Sequence, residues 1–548
     1  MNSQVNIVII GGVAGGMSAA TRARRTNEHA NITVIERGGF ISFANCGLPY
    51  YIAGQIKTED KLLVTTAAKV NERFNINVRT KTEAIAIDRA AKTVTVRDLA
   101  SGNTETVRYD KLILAPGADP FVPPIEHVRS SNVFTLRSIE DTRAIQDFVT
   151  KQKPQRVVIA GAGFIGLEMA EALHQRGAHV TVLEKNGWAL PPLDREMALD
   201  IHRELAAKGV TLITGKGLAS LEAANGRVTT AVLEDGQRVP ADMLLMSIGV
   251  RPNVALAKAA GLTIGVTGGI AVDQYQRTND PDIYAVGDAA EITHGVTGKT
   301  GRIPLAGPAN RQGRIAGQHA ASGESTATPR VFGTAIVRVF DLAAGLTGLS
   351  ENAARNAGYD IDTAYVSGNH HAGYYPGAQP LKIKLVYDRP TGKVLGAQIT
   401  GRDGVDKRLD VIATLLHFGG TIDDLAALDF AYAPQFGSAK DPLHMAAFVA
   451  QNQRSGMTPG IVVKEVNGRQ LVDVRTDAET AKGILDNAIT IPLDSLRQRI
   501  GELDASRATA VYCQAGLRGH IATRILKQNG FKDVVNVKGG YGLAVDMR

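Results

Sequence analysis

Arg156-Val157-Val158-Ile159-Ala160-Gly161-Ala162-Gly163-Phe164-Ile165-Gly166 is a β-branched run that breaks into G-x-G-x-x-G, and its reading decides the fold. It predicts a strand, a tight turn, a helix over Leu167–Arg176 and a second strand over His179–Leu183 that ends in Glu184. Gly161, Gly163 and Gly166 let the backbone turn sharply and approach a pyrophosphate. The charge of that group then meets the unpaired N–H groups and the positive dipole end of the helix. Glu184, about 20 residues on, stands where an acid accepts hydrogen bonds from ribose hydroxyls. It would repel a 2′-phosphate, so NADH is favoured; Lys185 beside it keeps NADPH possible.

The pattern occurs a second time, earlier in the chain. Val5–Ile10 runs into Gly11-Gly12-Val13-Ala14-Gly15-Gly16, then a helix over Met17–Arg25 and a strand over Asn31–Ile35 ending in Glu36. Here Val13 takes the place of the middle glycine. Leu114–Ala118 and Ser247–Asn253 are apolar strands breaking into Gly/Pro turns, as expected where the chain crosses between two nucleotide domains, one inserted in the other. Thr278–Ala289 ends in Gly287-Asp288-Ala289, which can set a carboxylate against a ribityl hydroxyl. The fold class is therefore α/β, with two dinucleotide-binding domains.

Length and composition agree with a protein of several domains. At 548 residues the chain has room for three or four domains of roughly 150 residues each. The formal charge of +7 is spread over scattered Lys and Arg without the basic run that nucleic acid requires, so anionic small molecules are the expected partners. No apolar run is long enough to span a membrane, and nothing resembling a leader precedes Val5. Only two cysteines occur, which fits a reducing compartment, and a cytoplasmic location is expected.

Cys46 lies in Ile41-Ser42-Phe43-Ala44-Asn45-Cys46-Gly47-Leu48-Pro49-Tyr50-Tyr51, close behind the first glycine turn. A second cysteine in this stretch would make an internal disulfide, but position 51 is Tyr51, so an oxidised partner sulfur must come from the substrate. Cys513 lies in Val511-Tyr512-Cys513-Gln514-Ala515-Gly516-Leu517-Arg518-Gly519, where successive N–H groups and Arg518 can converge on a thiolate or a persulfide.

Over roughly residues 5 to 450 the chain resembles the two-dinucleotide flavoprotein disulfide reductases, and Ser42–Tyr50 closely resembles their coenzyme A disulfide reductase branch. Leu305–Gly317, His371–Ala378, Phe430–Pro434 and Ser438–Pro442 carry the same likeness. The resemblance implies FAD held by Gly11, Gly12, Val13, Ala14, Gly15, Glu36, Arg37, Gly287, Asp288 and Ala289. It implies NADH at Gly161, Gly163, Gly166 and Glu184. Coenzyme A contacts carry over as Ser18, Arg22, Arg25, Ser42, Asn45, Asn310 and Lys440, while the family's lysine near the adenosine end is replaced by Phe74 beside Arg73. A homodimer is implied, with an α+β interface domain that sends Tyr374 and Tyr432 to the partner's active site. No metal is expected.

Leu471–Arg475, Ala488–Asp494, Cys513–Gly519 and Val537–Tyr541 come in the order of a small α/β rhodanese domain, and Gln451–Pro459 reads as a linker before it. The expected division is an FAD-binding domain at 1–118 and 253–326, an NAD(P)H-binding domain at 119–252, a dimerisation domain at 327–452 and a rhodanese domain at 460–548. The catalytic set is Cys46, Cys513, Tyr374, Tyr432 and Arg518.

The resemblance implies a flavin-dependent, NADH-driven reductase of coenzyme A persulfide, coenzyme A disulfide or polysulfide, with sulfane sulfur arriving through Cys513. A flavin face together with nearby N–H dipoles is expected to lower the Cys46 pKa. An NADH oxidase or peroxidase is the nearest alternative, although those relatives place a His where this chain has Ala14. A non-catalytic redox-sensing module is the other.

Overall fold

A computed structural model describes residues 4–547, which form two compact units. The first comprises the chain up to Gly187 together with Gly209–Gly333; the second comprises Trp188–Lys208 and the chain from Thr334 onward.

Two all-parallel five-stranded sheets frame the first unit. In one, Ile283–Ala285, Lys111–Leu114, Asn6–Ile10, Asn31–Ile35 and Asn77–Arg79 lie side by side in that order. In the other the order is Thr211–Thr214, His179–Glu184, Arg156–Ala160, Met243–Met246 and Val133–Phe134. Parallel strands are covered on both faces, which is why these segments read as nearly unbroken apolar runs. Along Asn6–Ile10, Ile7 and Ile9 enter one core cluster and Val8 and Ile10 the other.

Both glycine turns open at the C-terminal ends of these strands, but their helices begin at Ala14 and Phe164 rather than at Met17 and Leu167. The last glycine of each turn thus lies inside the first helical turn. A Cβ on Gly16 would sit 1.8 Å from the Gly11 oxygen, and one on Gly166 would sit 1.9 Å from the Gly161 oxygen.

A second close approach fixes the helix Ala306–Ser322 against Ala14–Thr26. A Cβ at Gly313 would lie 2.1 Å from the Gly15 oxygen, and one at Gly317 would lie 2.2 Å from the Ala19 oxygen. The two backbones touch, which brings Asn310 beside Ser18. Elsewhere Ala118–Pro120 pairs antiparallel with Val250–Pro252, and Asn253 donates to the Pro116 oxygen at 3.0 Å, so the two Gly/Pro turns meet.

The second unit contains an antiparallel five-stranded sheet in the order Ala335–Val339, Leu342–Gly348, Val394–Gly401, Pro380–Asp388 and Ile361–Asn369. Val405–His417 and Pro442–Arg454 are its longest described helices after Thr334, ahead of Leu517–Gln528, which belongs with a parallel sheet. That parallel sheet runs Gly460–Ile461, Val534–Val537, Thr509–Tyr512, Gln470–Asp473 and Ile489–Thr490. Trp188–Lys208 is anchored in this unit by Lys384, whose buried ammonium pairs with Asp194 (2.8 Å), Glu196 and Glu351 (2.8 Å). These three carboxylates are close enough together to hold an ion, and Lys384 already supplies their cation.

The stretch 451–459 is not a free linker. Gln451–Arg454 complete the helix Pro442–Arg454, and the residues after it are fastened. Arg524 donates to the Met457 oxygen and Lys527 to the Gly456 oxygen, each at 2.9 Å, and Thr458 Oγ1 lies 2.7 Å from His520 Nδ1. Ion pairs from Lys538 to Asp362 and from Arg203 to Asp546 add two further ties. Polar composition reads as a linker, yet two backbone oxygens and the Thr458 side chain of this segment are used as anchors. Among the described residues no helix is long and apolar enough to cross a membrane.

Candidate active site

The glycine turns repeat each other in detail. Gly11 and Gly161 both take the left-handed conformation, with φ of 102° and 105°. Each turn is stitched to the acid at the end of the next strand: Gly12 N–H donates to Glu36 at 2.6 Å, and Ala162 N–H donates to Glu184 at 2.9 Å. Neither helix start has a side-chain cap. A Cβ on Gly163 would meet no protein atom within 4 Å. Uncapped N–H donors fit a dinucleotide pyrophosphate in both copies, and in the second they stand beside open space.

The carboxylate expected to face ribose in the second copy is also held by Asn186, through its N–H at 2.8 Å and its side-chain amide at 2.7 Å. Lys185 turns to Glu234 at 2.9 Å. In the first copy Arg37 lies 3.7 Å from Asp119, and Asp288 accepts from Arg137 at 2.8 Å. Gly287 N–H donates to Gln312 Oε1 at 2.8 Å; the Gln312 amide nitrogen, buried next to Gly287, has no protein partner.

Cys46 is carried on the short 3-10 turn Asn45–Gly47 that leads into the helix Leu48–Ile52. Ser42, at φ 45°, donates its N–H to the Gly12 oxygen at 2.9 Å and ties this segment to the glycine turn. The Cys46 side chain opens to solvent, with Glu168, Arg137 and Asp288 as its charged surroundings. The thiol is pushed up from its ordinary value, first by the protein that covers part of it and then by Glu168, against the smaller pull of Arg137. Among the protein's own groups, the N–H dipoles are outweighed by desolvation and a neighbouring carboxylate.

The structure adds a pair here that the motif reading missed. Tyr50 donates to Glu168 at 3.0 Å. Burial pushes the Glu168 carboxyl up, the Tyr50 hydrogen bond opposes that shift, and Glu171 adds to it. Glu168 follows Gly166 by two positions, so its place just inside the helix of the second glycine turn was the available signal.

Ser18, Arg22 and Arg25 lie along one side of the helix Ala14–Thr26. Ser18 donates to Asn310 at 2.5 Å, and Arg22 donates to Gln318. The Arg22 guanidinium is held below its ordinary value by partial desolvation and then by repulsion from Arg314 and Arg25, so three guanidiniums share this patch. Arg314 was not singled out from the sequence. Phe74 packs against the apolar core, and its carbonyl accepts from Arg24 at 2.8 Å.

In the second unit Tyr374 and Tyr432 are 77% and 50% exposed, and their hydroxyl oxygens lie 3.0 Å apart. The loops that carry them are joined at Arg408, which is buried and pairs bidentately with Asp441, next to the exposed Lys440, while also donating to the His370 oxygen at 2.7 Å.

Cys513 is 2% exposed and accepts a hydrogen bond from Gly516 N–H at 3.1 Å. Its loop ends at the N-terminus of the helix Leu517–Gln528. Gly539 and Gly540 adopt left-handed conformations beneath it, where a Cβ on Gly540 would lie 2.3 Å from the Cys513 oxygen. Arg518 forms a bidentate pair with Glu479, both contacts at 2.6 Å, and also interacts with Cys513. Glu479, missed at first, closes a T-x-x-E capping box with Thr476, a pattern that was visible in the sequence.

Residues 5–313 match the family described as Pyridine nucleotide-disulphide oxidoreductase, residues 334–442 its dimerisation domain, and residues 458–543 the Rhodanese-like domain. The chain is similar to the NAD(P)H coenzyme A polysulfide/persulfide reductase of Pyrococcus horikoshii, at 36% identity over 449 residues that cover 82% of this chain and 99% of that one. Among solved structures it is similar to the reduced CoADR-RHD of Bacillus anthracis, with 42% identity, a TM-score of 0.96 and coverage of 99% of this chain and 98% of that one. It is also similar to the NAD-dependent persulfide reductase of A. fulgidus, with 40% identity, a TM-score of 0.93 and coverage of 98% and 99%. The glycine turns, the Cys46 segment and the Cys513 loop thus sit in a chain that belongs to the pyridine nucleotide-disulphide oxidoreductases, carrying their dimerisation domain and a C-terminal rhodanese-like domain.

Proposed function

We propose that this oxidoreductase reduces coenzyme A persulfide, coenzyme A disulfide or polysulfide at Cys46, with sulfane sulfur gathered at Cys513. The observation that carries the reading is that Cys46 is an exposed thiol with no second cysteine in its segment, so a substrate sulfur must be its bonding partner.

FAD and NAD(P)H are the family's cofactors, and together they supply an electron pair for a sulfur–sulfur bond. Gly11–Gly15, Glu36, Arg37 and Gly287–Ala289 would hold FAD; Gly161, Gly163, Gly166 and Glu184 would hold NADH. We assign 1–118 and 253–326 to the first, 119–252 to the second, 327–452 to dimerisation and 460–548 to the rhodanese domain.

Cys46 attacks the inner sulfur of a persulfide R–S–SH. A mixed disulfide forms, the S–S bond of the persulfide breaks, and HS⁻ leaves with its electron pair. Two electrons and one proton then cleave the mixed disulfide to the Cys46 thiolate and R–SH. Tyr374 and Tyr432 of a second copy would give that proton; their exposed, paired hydroxyls on a single chain support this reading, because they suit a surface completed by a partner. Ser18, Arg22, Arg25, Ser42, Asn45, Asn310 and Lys440 are the proposed coenzyme A contacts, with the clustered guanidiniums meeting phosphate charge. Steady-state NADH oxidation against coenzyme A persulfide, coenzyme A disulfide, polysulfide, hydrogen peroxide and oxygen tests the reading. Fastest turnover on peroxide or oxygen would replace it with the oxidase reading.

A further inference from the structure

The walls of the Cys513 site, residues 513–518 and 539–542, contain one cationic side chain, Arg518. That cation is already spent on a carboxylate, since both of its terminal nitrogens lie 2.6 Å from Glu479 oxygens. Arg518 in turn holds the Glu479 carboxyl down at about 2, so the pair stays ionised throughout the working range. The next cation along the chain, Lys538, is committed to Asp362. Beside the polar Gln514, the loop is flanked by two exposed apolar side chains: Leu517 is 60% exposed and Ile521 is 38% exposed, four residues apart on one face of the helix Leu517–Gln528.

We propose that the Cys513 site selects its sulfur donor by charge, taking sulfane sulfur from singly charged donors with an apolar substituent, such as alkyl persulfides and alkylthiosulfonates, in preference to the thiosulfate dianion. The inference rests on the reading of Cys513 as a sulfur acceptor. A dianion entering this site meets the loop N–H groups and the helix N-terminus but no uncompensated cationic side chain to offset its second charge, whereas a monoanion loses less on entry and lays its alkyl group on Leu517 and Ile521. The transfer is balanced. The Cys513 thiolate attacks the terminal sulfur of R–SO₂–S⁻, the donor's S–S bond breaks, and its electron pair leaves on the sulfinate R–SO₂⁻. The sulfane sulfur stays as Cys513–S–S⁻, and with thiosulfate the leaving group is sulfite.

Methanethiosulfonate anion and thiosulfate form a matched pair, differing in one methyl group against one charged oxygen. The experiment is time-resolved mass spectrometry of the Cys513 peptide from the full-length holoenzyme, which reads the gain of one sulfur atom from each donor. Wild-type protein should load from methanethiosulfonate about tenfold or more faster than from thiosulfate at equal concentration. Glu479→Gln, which keeps an N3 capping side chain, should release the Arg518 charge and narrow that ratio about tenfold. Both donors are read in one preparation, so loss of folded protein lowers both rates and leaves the ratio intact. Equal wild-type rates, or a ratio unmoved by Glu479→Gln, would overturn the charge selection while leaving Cys513 as an acceptor. Absence of loading from either donor would overturn the acceptor reading and the selection together.

Discussion

Tyr50 and Glu168 form a 3.0 Å hydrogen bond that joins the segment of Cys46 to the helix of the second glycine turn. Through it, the charge on Glu168 is held within reach of the Cys46 sulfur, where it works against thiolate formation. The Cys46 thiol is raised, so its thiolate fraction should climb with pH until the medium passes that raised value. Glu168→Gln removes the carboxylate and should move the rise to lower pH. Alkylation of Cys46 by iodoacetamide as a function of pH checks this; identical profiles for the two proteins would contradict it.

Cofactor choice should follow the pairing of Lys185 with Glu234. With that ammonium occupied and Glu184 at the end of the strand, kcat/KM for NADH should exceed that for NADPH by roughly ten- to a hundredfold. Glu234→Gln should free Lys185 and narrow the gap by raising the NADPH value. Measured specificity constants for both cofactors and both proteins decide the point.

Tyr374→Phe and Tyr432→Phe should each slow turnover on a sulfur substrate, by about a hundredfold if the hydroxyl pair supplies the leaving thiol's proton. NADH should still bleach the flavin at the parent rate. Parent-like turnover in both variants would remove these tyrosines from the chemistry.

The rhodanese-like region should behave as a docked body. Lys538→Ala combined with Asp546→Ala deletes two of its ionic ties and should expose the backbone around residues 455–459 to limited proteolysis, where the parent protein resists cleavage. Equal cleavage of both proteins would show that the anchors at Met457, Gly456 and Thr458 suffice alone.

Much of this architecture could be read from the chain because glycines at fixed spacing have few structural uses. Gly11, Gly16, Gly161 and Gly166 stand where a side chain would collide with backbone, and the apolar runs before them could only be buried strands. Side-chain partnerships across long sequence separations were harder to see. Nothing local in 451–459 announces that Arg524, Lys527 and His520 will hold it, so a polar segment passed for a linker. The charge that opposes Cys46 ionisation sits on Glu168, far along the chain, and only the packing of two helices brings it there. Arg518 was legible as a cation at the Cys513 loop, whereas its neutralisation by Glu479 depended on where a neighbouring capped turn would fall.

Comparison of Cys46→Ser and Cys513→Ser by stopped-flow and steady-state kinetics, on coenzyme A persulfide and on polysulfide, tests the two-sulfur account most directly. Cys46→Ser should abolish reduction of both donors while NADH still bleaches the flavin. Cys513→Ser should leave coenzyme A persulfide reduction largely intact, because that substrate reaches Cys46 unaided, and should impair polysulfide use. Equal losses on both donors in Cys513→Ser, or persistent reduction in Cys46→Ser, would contradict the account.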